Sequence, residues 1–434
     1  MMVTSEKPKP IINIVKCSEN IEEDNEQVRK SLSSSPASST RSISDLLEKD
    51  NWTSRQKYFA EDDESSVSSK ASSGSLIINH KTIGDESQIE LAELDRFGFI
   101  SLTSPSLASN LKAQEREREQ EEKRKKKLDE REDRRSMKWL EMLAKLEGKP
   151  VREWPDHHSK FTSRLAKGIP DCIRCQLWPV LASHIGCNAG SIADVKYKEL
   201  YLRISGFERQ IDLDIERTLR DHVMFKIRFS AAQISLFKIL VAYSNHDKEV
   251  GYCQGMSTIA AFLLLYLPEE EAFQALTNVM ATCRLMFTPH FPLLFQTFYI
   301  QERLMQKYLP RLEKHLHVHL GIAPSIYATK WYLTLFLGFP FPMATRIWDI
   351  FLFYGFDVLV CVAVAILRVS EDRLLSLEYE PAMHALSRLP EEHCFNPSQI
   401  IRMAVRLYND CQSHERHREF KKYRDEYALK QQNA

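Results

Sequence analysis

From Trp139 to about residue 385 the apolar residues recur at helical spacing and almost never alternate as a strand requires, which confines the chain to an all-α fold. Pro170-Asp171 opens a segment that sets Ile173, Leu177 and Trp178 on one face. Ile234, Phe237, Leu240 and Val241 keep the same spacing between Gln233 and Tyr243. Ile259 to Leu267 is apolar all round, the mark of a fully buried helix. Pro268-Glu269-Glu270-Glu271 starts another, its acidic first turn matched to the helix dipole. About 220 residues patterned this way bury one large core, so a single helical domain is expected over residues 151–385.

The flanks are different in kind. Residues 1–90 are Ser-rich, as in Ser31-Leu32-Ser33-Ser34-Ser35-Pro36, and read as a disordered tail that cannot bury enough apolar surface to fold. Arg41-Ser42-Ile43-Ser44 within it has the form of a basic-directed phosphorylation site. Residues 91–150 form a charged helical lead-in. Its aromatic cluster, Leu94-Asp95-Arg96-Phe97-Gly98-Phe99-Ile100, is expected to anchor back onto the folded domain. The charge run from Ala113 to Met137 favours a solvated helix through i,i+4 pairs, and it lacks the a/d seam of a coiled coil. Residues 386–434 are expected to be a closing helix, amphipathic at Ile400 to Tyr408, and a charged, frayed tail from Glu415.

Composition narrows the function classes. The 59 Lys and Arg balance the 59 Asp and Glu, so nothing global points to nucleic acid or an anionic membrane. Lys123 to Lys127 lacks the aromatic partners of a nucleic-acid module. Nine cysteines without framework spacing, and no apolar signal segment, fit a reducing, cytoplasmic location. Cys172-x-x-Cys175 has no second ligand pair for zinc and reads as two small helical residues near Trp178. His315, His317 and His319 alternate like a strand, and in a helix the three cannot share a face, so no metal is expected. Ile350 to Val369 is nearly long enough to span a bilayer. Gly355 and Asp357 interrupt it, which favours two buried helices over a transmembrane segment.

Two short motifs remain. In Ile211-x-x-Asp214-x-x-Arg217 the three residues share a helical face, so Asp214 can steer the Arg217 guanidinium. In Val250-Gly251-Tyr252-Cys253-Gln254-Gly255-Met256, glycines bracket a Tyr-x-Gln ahead of a buried helix. That is the form of a tight presenting loop, with Tyr252 and Gln254 pointing the same way if the loop is extended. Both motifs also admit a purely structural reading, as an ion pair at a helix edge and a capping amide. No conventional hydrolase, zinc-protease or Walker motif is present, so the chain is not expected to bind nucleotide or cofactor itself.

Together these motifs resemble the two signatures of the TBC (Tre-2/Bub2/Cdc16) domain, the family of GTPase-activating proteins for Rab GTPases. Gly168-Ile169-Pro170 through Arg174 to Trp178, Glu269 to Phe273 and Arg346-Ile347-Trp348-Asp349 agree with it, and the likeness runs from about residue 165 to 375. Arg220 stands where the family usually has Pro. That departure, Asp95 to Phe99 and the lead-in Lys138 to Leu143 are similar to the RN-tre branch.

The resemblance implies that Arg217 is an arginine finger and Gln254 a glutamine finger, both supplied in trans to a GTP-loaded Rab. It implies that Asp214 holds Arg217, that Tyr252 positions the loop, and that Gly251 and Gly255 let the loop approach the GTPase. It further implies a role in vesicle and endosomal trafficking, with peripheral recruitment to endosomal or Golgi-derived membranes. The alternatives are a non-catalytic Rab-binding scaffold and an adaptor that works through its N-terminal tail.

Overall fold

The helical segments that the spacing predicts are helical in the computed structural model, although the run expected from Ile259 to Leu267 ends at Leu264. The structure describes residues 94–100, 111–146, 151, 158–188, 196–288, 290–392, 395–412 and 419–433. The Ser-rich tail, including Arg41-Ser42-Ile43-Ser44, lies outside the described residues. The longer helices are α1 (Leu111–Leu146), α2 (His158–Leu165), α3 (Asp171–Asn188), α4 (Glu208–Arg217), α5 (Ala231–His246), α6 (Met256–Leu264) and α7 (Glu269–Cys283). They continue as α8 (Pro292–Tyr308), α9 (Phe341–Tyr354), α10 (Asp357–Val369), α11 (Tyr379–Arg388), α12 (Pro397–Gln412) and α13 (Glu419–Gln432). Among the described residues the extended pairing is confined to two isolated bridges, Leu94 with Ile100 and Phe99 with His222. The chain is an all-α helical domain.

Local sequence sets the ends of these helices. Ser230 caps α5 by accepting from the Gln233 amide, and Pro292 begins α8 at a position where its missing N–H costs nothing. Gly355, at a φ of +80°, ends α9 and turns the chain before Asp357 opens α10. The apolar stretch from Ile350 to Val369 is therefore two packed helices, as its interruption predicts. No helix among the described residues is long and apolar enough to cross a membrane.

Packing follows two layers of contact. Helix α7 lies along α3, and α10 lies along α12, while α9 touches α3, α10 and α12 and ties the halves together. Helix α5 is flanked by α4, α6 and α7, which places the two motif helices side by side. At the centre Phe262 sits 5.5 Å from the Trp178 ring and 5.0 Å from that of Trp348. Truncating such a buried aromatic to Ala costs about 3–5 kcal/mol.

One buried carboxylate organises this centre. Asp349, fully buried, accepts from the Ile169 amide at 3.1 Å, from Arg174 Nε and Nη2 at 3.0 Å each, and from Trp178 Nε1 at 3.1 Å. The neighbouring Arg346 donates to the Ala166 carbonyl at 2.8 Å, and burial lowers its pKa to about 10.

The core reaches past residues 151–385 at both ends. Trp139, Met142 and Leu146 of α1 and Phe420 and Tyr423 of α13 belong to the same buried cluster. The charged C-terminal segment is thus not frayed over Glu419–Gln432. Arg424 pairs with Asp357, and α13 packs on α8. Lys314–His319 forms a π-helical turn rather than the strand-like stretch its alternation resembles. There His315 Nε2 meets the Leu377 carbonyl at 3.0 Å, and His317 Nδ1 lies 3.4 Å from Glu313 and 3.6 Å from Glu302.

Candidate functional site

Helix α4 ends at Arg217 because Thr218 leaves the helical region (ψ 125°) and Leu219 takes a positive φ of +45°. A basic residue in the last turn suits the negative end of the helix dipole. Arg217 is 59% exposed, while its partner Asp214, one turn back, is 6% exposed. The exposed face of α4 carries Leu213 and Arg217 together, four residues apart. Thr218 secures this end from inside. Its hydroxyl lies 2.6 Å from the Asp214 carbonyl and 2.9 Å from Ser257 Oγ on α6.

The second motif is the loop that feeds α6. Its base is fixed by Asp247, which accepts from the amides of Glu249 and Val250 and whose carbonyl accepts from Gly251 N at 2.8 Å. Arg284 clamps the same carboxylate, with Nε to Oδ2 at 2.6 Å and Nη2 to Oδ1 at 3.0 Å. Burial alone would raise the pKa of Asp247, but the Arg284 hydrogen bonds hold it below the usual carboxylate range. Gly251 (φ +59°) and Gly255 (φ +101°) then reverse the chain into the N-terminus of α6.

The two motifs meet at Asp214. Its Oδ1 pairs with Arg217, and its Oδ2 accepts from the Tyr252 hydroxyl at 2.6 Å. Tyr252 is buried, and burial together with this bond to Asp214 pushes its phenol pKa upward, so it stays protonated as the donor. Gln254 lies two residues on and is exposed. Tyr252 and Gln254 therefore sit in different surroundings, on a loop that turns at two positive-φ glycines. One side chain reaches inward to Asp214, and the other meets solvent.

The glycines divide in the same manner. A Cβ on Gly251 would fall 2.4 Å from the Phe207 ring, so the space that glycine leaves is filled by this chain's own phenyl group. Gly255 faces open space, and only there does a missing side chain leave room for another molecule. Cys253, between them, is not an activated thiol. Its sulfur contacts the Phe287 carbonyl at 3.4 Å, and burial raises its pKa.

Sequence reasoning named Thr218 only as the motif neighbour of Arg217, and it did not single out Phe207, Asp247, Ser257 or Arg284. Only Asp247 carries a local signal, an Asx-type turn ahead of Gly251. The others act across the fold, and nothing near them in the chain marks them.

The arrangement offers an exposed guanidinium paired with a buried carboxylate, and an exposed amide on the short loop whose Tyr252 bonds that same carboxylate. Arg217 is paired with the Asp214 carboxylate, and among the described residues no nucleophile bonds either the guanidinium or the amide. The pair can stabilise negative charge and orient a water only on something brought to it.

Residues 171–375 match the Rab-GTPase-TBC domain. The chain is 37% identical over 273 residues to the human ecotropic viral integration site 5 protein homolog, a match covering 60% of this chain and 33% of that protein. It is 36% identical over 249 residues to Rab GTPase-activating protein tbc-11 of Caenorhabditis elegans, covering 56% of this chain and 26% of that one. These matches thus span about a third or less of the relatives' own length. Among solved structures, the Chlamydomonas flagellar RabGAP TBC domain superposes with a TM-score of 0.54 at 23% identity, covering 72% of this chain and 99% of that one, a likeness of fold.

Proposed function

We propose, from the match of residues 171–375 to the Rab-GTPase-TBC domain, that this chain accelerates GTP hydrolysis on a GTP-loaded Rab by lending it Arg217 and Gln254. The observation that carries the reading is the junction at Asp214. One buried carboxylate joins Arg217 to Tyr252, while Arg217 and, two residues beyond Tyr252, Gln254 remain exposed.

GTP hydrolysis requires an attacking water held in line and stabilisation of charge on the phosphoryl oxygens. The Arg217 guanidinium is planar, permanently charged and multidentate, which suits the second task. The Gln254 amide carries one acceptor and two donors, which suits the first, since a water can be held by its lone pair and its proton at once. Asp214 limits the rotamers of Arg217 before the GTPase arrives, so less order has to be imposed in the transition state. Tyr252 holds Asp214 and also the loop on which Gln254 sits.

In this reading the GTPase supplies the nucleotide, its magnesium ion and the reacting water, and the chain supplies no cofactor. Gly255 leaves the loop tip open to approach. Regulation of vesicle and endosomal traffic, with peripheral recruitment to the membrane where the Rab resides, follows from the same activity.

Single-turnover phosphate release from a panel of GTP-loaded Rabs tests it. The wild-type chain speeds release from at least one of them. Arg217→Ala and Gln254→Ala each abolish the acceleration while melting as the wild type does. Full activity in either variant would remove that residue from the mechanism.

A further inference from the structure

The sequence segment Asp95 to Ile100 docks far from its own neighbours in the chain, and it docks on the residues that follow Arg217. Ile100 N donates to the Asp221 carbonyl at 2.9 Å, and Val223 N donates to the Gly98 carbonyl at 3.1 Å, in antiparallel register around Phe99 and His222. The His222 ring completes the joint. Its Nδ1 accepts from the Met224 amide at 3.2 Å, so the proton sits on Nε2, which donates to the Phe97 carbonyl at 2.8 Å. Phe99 meets the same ring edge-on at 4.9 Å.

Two further features give this contact a direction. Leu219, between Arg217 and the docked residues, holds a φ of +45°, a conformation that persists only where the surroundings impose it. On the far side, Phe97 and Phe99 lie 4.8 and 5.1 Å from Phe341, which in turn lies 5.6 Å from Phe262 on α6. The segment therefore touches the continuation of the Arg217 helix directly and the glutamine-loop helix through one aromatic ring. Its hairpin closes on itself through Asp95, whose carboxylate accepts from the amides of Phe97 and Phe99. Arg96 reaches Asp171 at 2.7 Å. All of it lies upstream of the matched residues 171–375.

We infer that residues 95–100 form a strap that positions the arginine finger, with Phe99 and His222 as positioning residues for the GTPase-activating reaction. The inference rests on the function proposed above. The strap fixes residues 221–223, this fixes the Leu219 turn, and the turn sets where the last residue of α4 projects. Gly98 is the sensitive point. At its φ of +90° an Ala is strained, and the added Cβ would fall 2.7 Å from His222 Nε2. Arg217 and Gln254 themselves remain chemically intact when the strap is loosened.

The test uses the full chain carrying Gly98→Ala, Phe99→Ala or the conservative Phe99→Tyr. Hydrogen exchange over residues 214–225 is read alongside single-turnover hydrolysis at saturating and subsaturating activator. The expected result is faster exchange in Gly98→Ala and Phe99→Ala, with the maximal rate lowered about 10- to 100-fold, as befits a misplaced catalytic group. The half-saturating concentration stays as it was, the midpoint of global unfolding stays near that of the wild type, and Phe99→Tyr restores the rate. Combined with Arg217→Ala, the strap variants cause no further loss.

Unchanged exchange would overturn the inference, as would faster exchange with an unaltered maximal rate. So would a loss that appears only in the half-saturating concentration, or one that persists in full when Arg217 is absent. A wild-type chain inert towards every Rab instead overturns the proposed function, and it does so before any strap variant is compared.

Discussion

Two arginine–aspartate pairs in this chain use the same chemistry in opposite surroundings. Arg174 and Asp349 are both sealed in the core, at 4% and 0% side-chain exposure, and Asp349 takes four hydrogen bonds from three residues. Arg217 and Asp214 share only the buried carboxylate, because the Arg217 head is 59% exposed. A buried pair with every lone pair occupied fixes the register between distant segments, here the start of α3 and the middle of α9. A pair with its cation outside does little for stability, since solvent screens it. What it provides is a positive charge of defined orientation at the surface. Burial of the guanidinium, not the presence of the partner, separates the scaffold pair from the pair proposed to act on a GTPase.

The sharpest break of that comparison is in catalysis. Arg217→Ala should lower the stimulated hydrolysis rate by roughly 10³-fold or more. Its unfolding midpoint should stay within the small range of an exposed pair, about 0–1 kcal/mol. Arg217→Lys should recover little, because an ammonium lacks the planar fork. A large stability loss in Arg217→Ala would mean that the pair is structural after all.

The converse change is next in size. Asp349→Ala leaves the buried Arg174 with only its Asp171 pair, and breaking a buried pair costs about 3–5 kcal/mol. Denaturant titration should show the midpoint falling steeply, and any activity lost should return under conditions that restore folding. An unaffected midpoint would dissolve the distinction between the two pairs.

A smaller effect isolates the junction. Tyr252→Phe keeps the ring in place and removes only the donor to Asp214, a bond to a charged group worth about 1.5–3 kcal/mol. The expected outcome is a modest loss of stability together with a lower maximal hydrolysis rate, because Asp214 then holds Arg217 less firmly. A rate equal to that of the wild type would show that Arg217 needs no help from the loop.

Much of the scaffold was legible because helical spacing is a local signal. Ile173, Leu177 and Trp178 declare a buried face within six residues, and Gly355 with Asp357 declares a break. Arg217 and Gln254 were singled out through motif resemblance. The joints were not. Tyr252 reaches Asp214 across 38 positions and Asp349 reaches Ile169 across 180, and no periodicity carries information over such spans. Tyr252 is buried and Gln254 exposed, a split that the alternation of an extended loop would not give, and two positive-φ glycines flank them. Glycine composition marks that freedom without saying how it is used. The docking of α13 went unseen for a related reason. Its polar sequence hides two buried aromatics, Phe420 and Tyr423, and an ion pair to Asp357.

Acidification provides the gentlest probe, since guanidinium groups stay protonated across the neutral range and only the histidines respond. Burial holds His222 below its ordinary value of 6.5, against opposing pulls from the Phe97 carbonyl and from Asp95. His184 and His246 are lowered by burial as well. A histidine with a depressed folded pKa binds its proton more readily in the unfolded chain. Its stabilising share is therefore complete above pH 6.5 and is lost as the pH falls from there through the folded value. The protonated His222 ring would also have to give up accepting the Met224 amide. Unfolding midpoints should consequently be lower at about pH 5.5 than at about pH 7.5, and the difference should narrow in His222→Gln. Asp247, whose pKa is lowered instead, keeps its contribution throughout that window and loses it only in stronger acid. If the His222→Gln difference matched that of the wild type, the ring beside the arginine-bearing turn would not be the group that titrates.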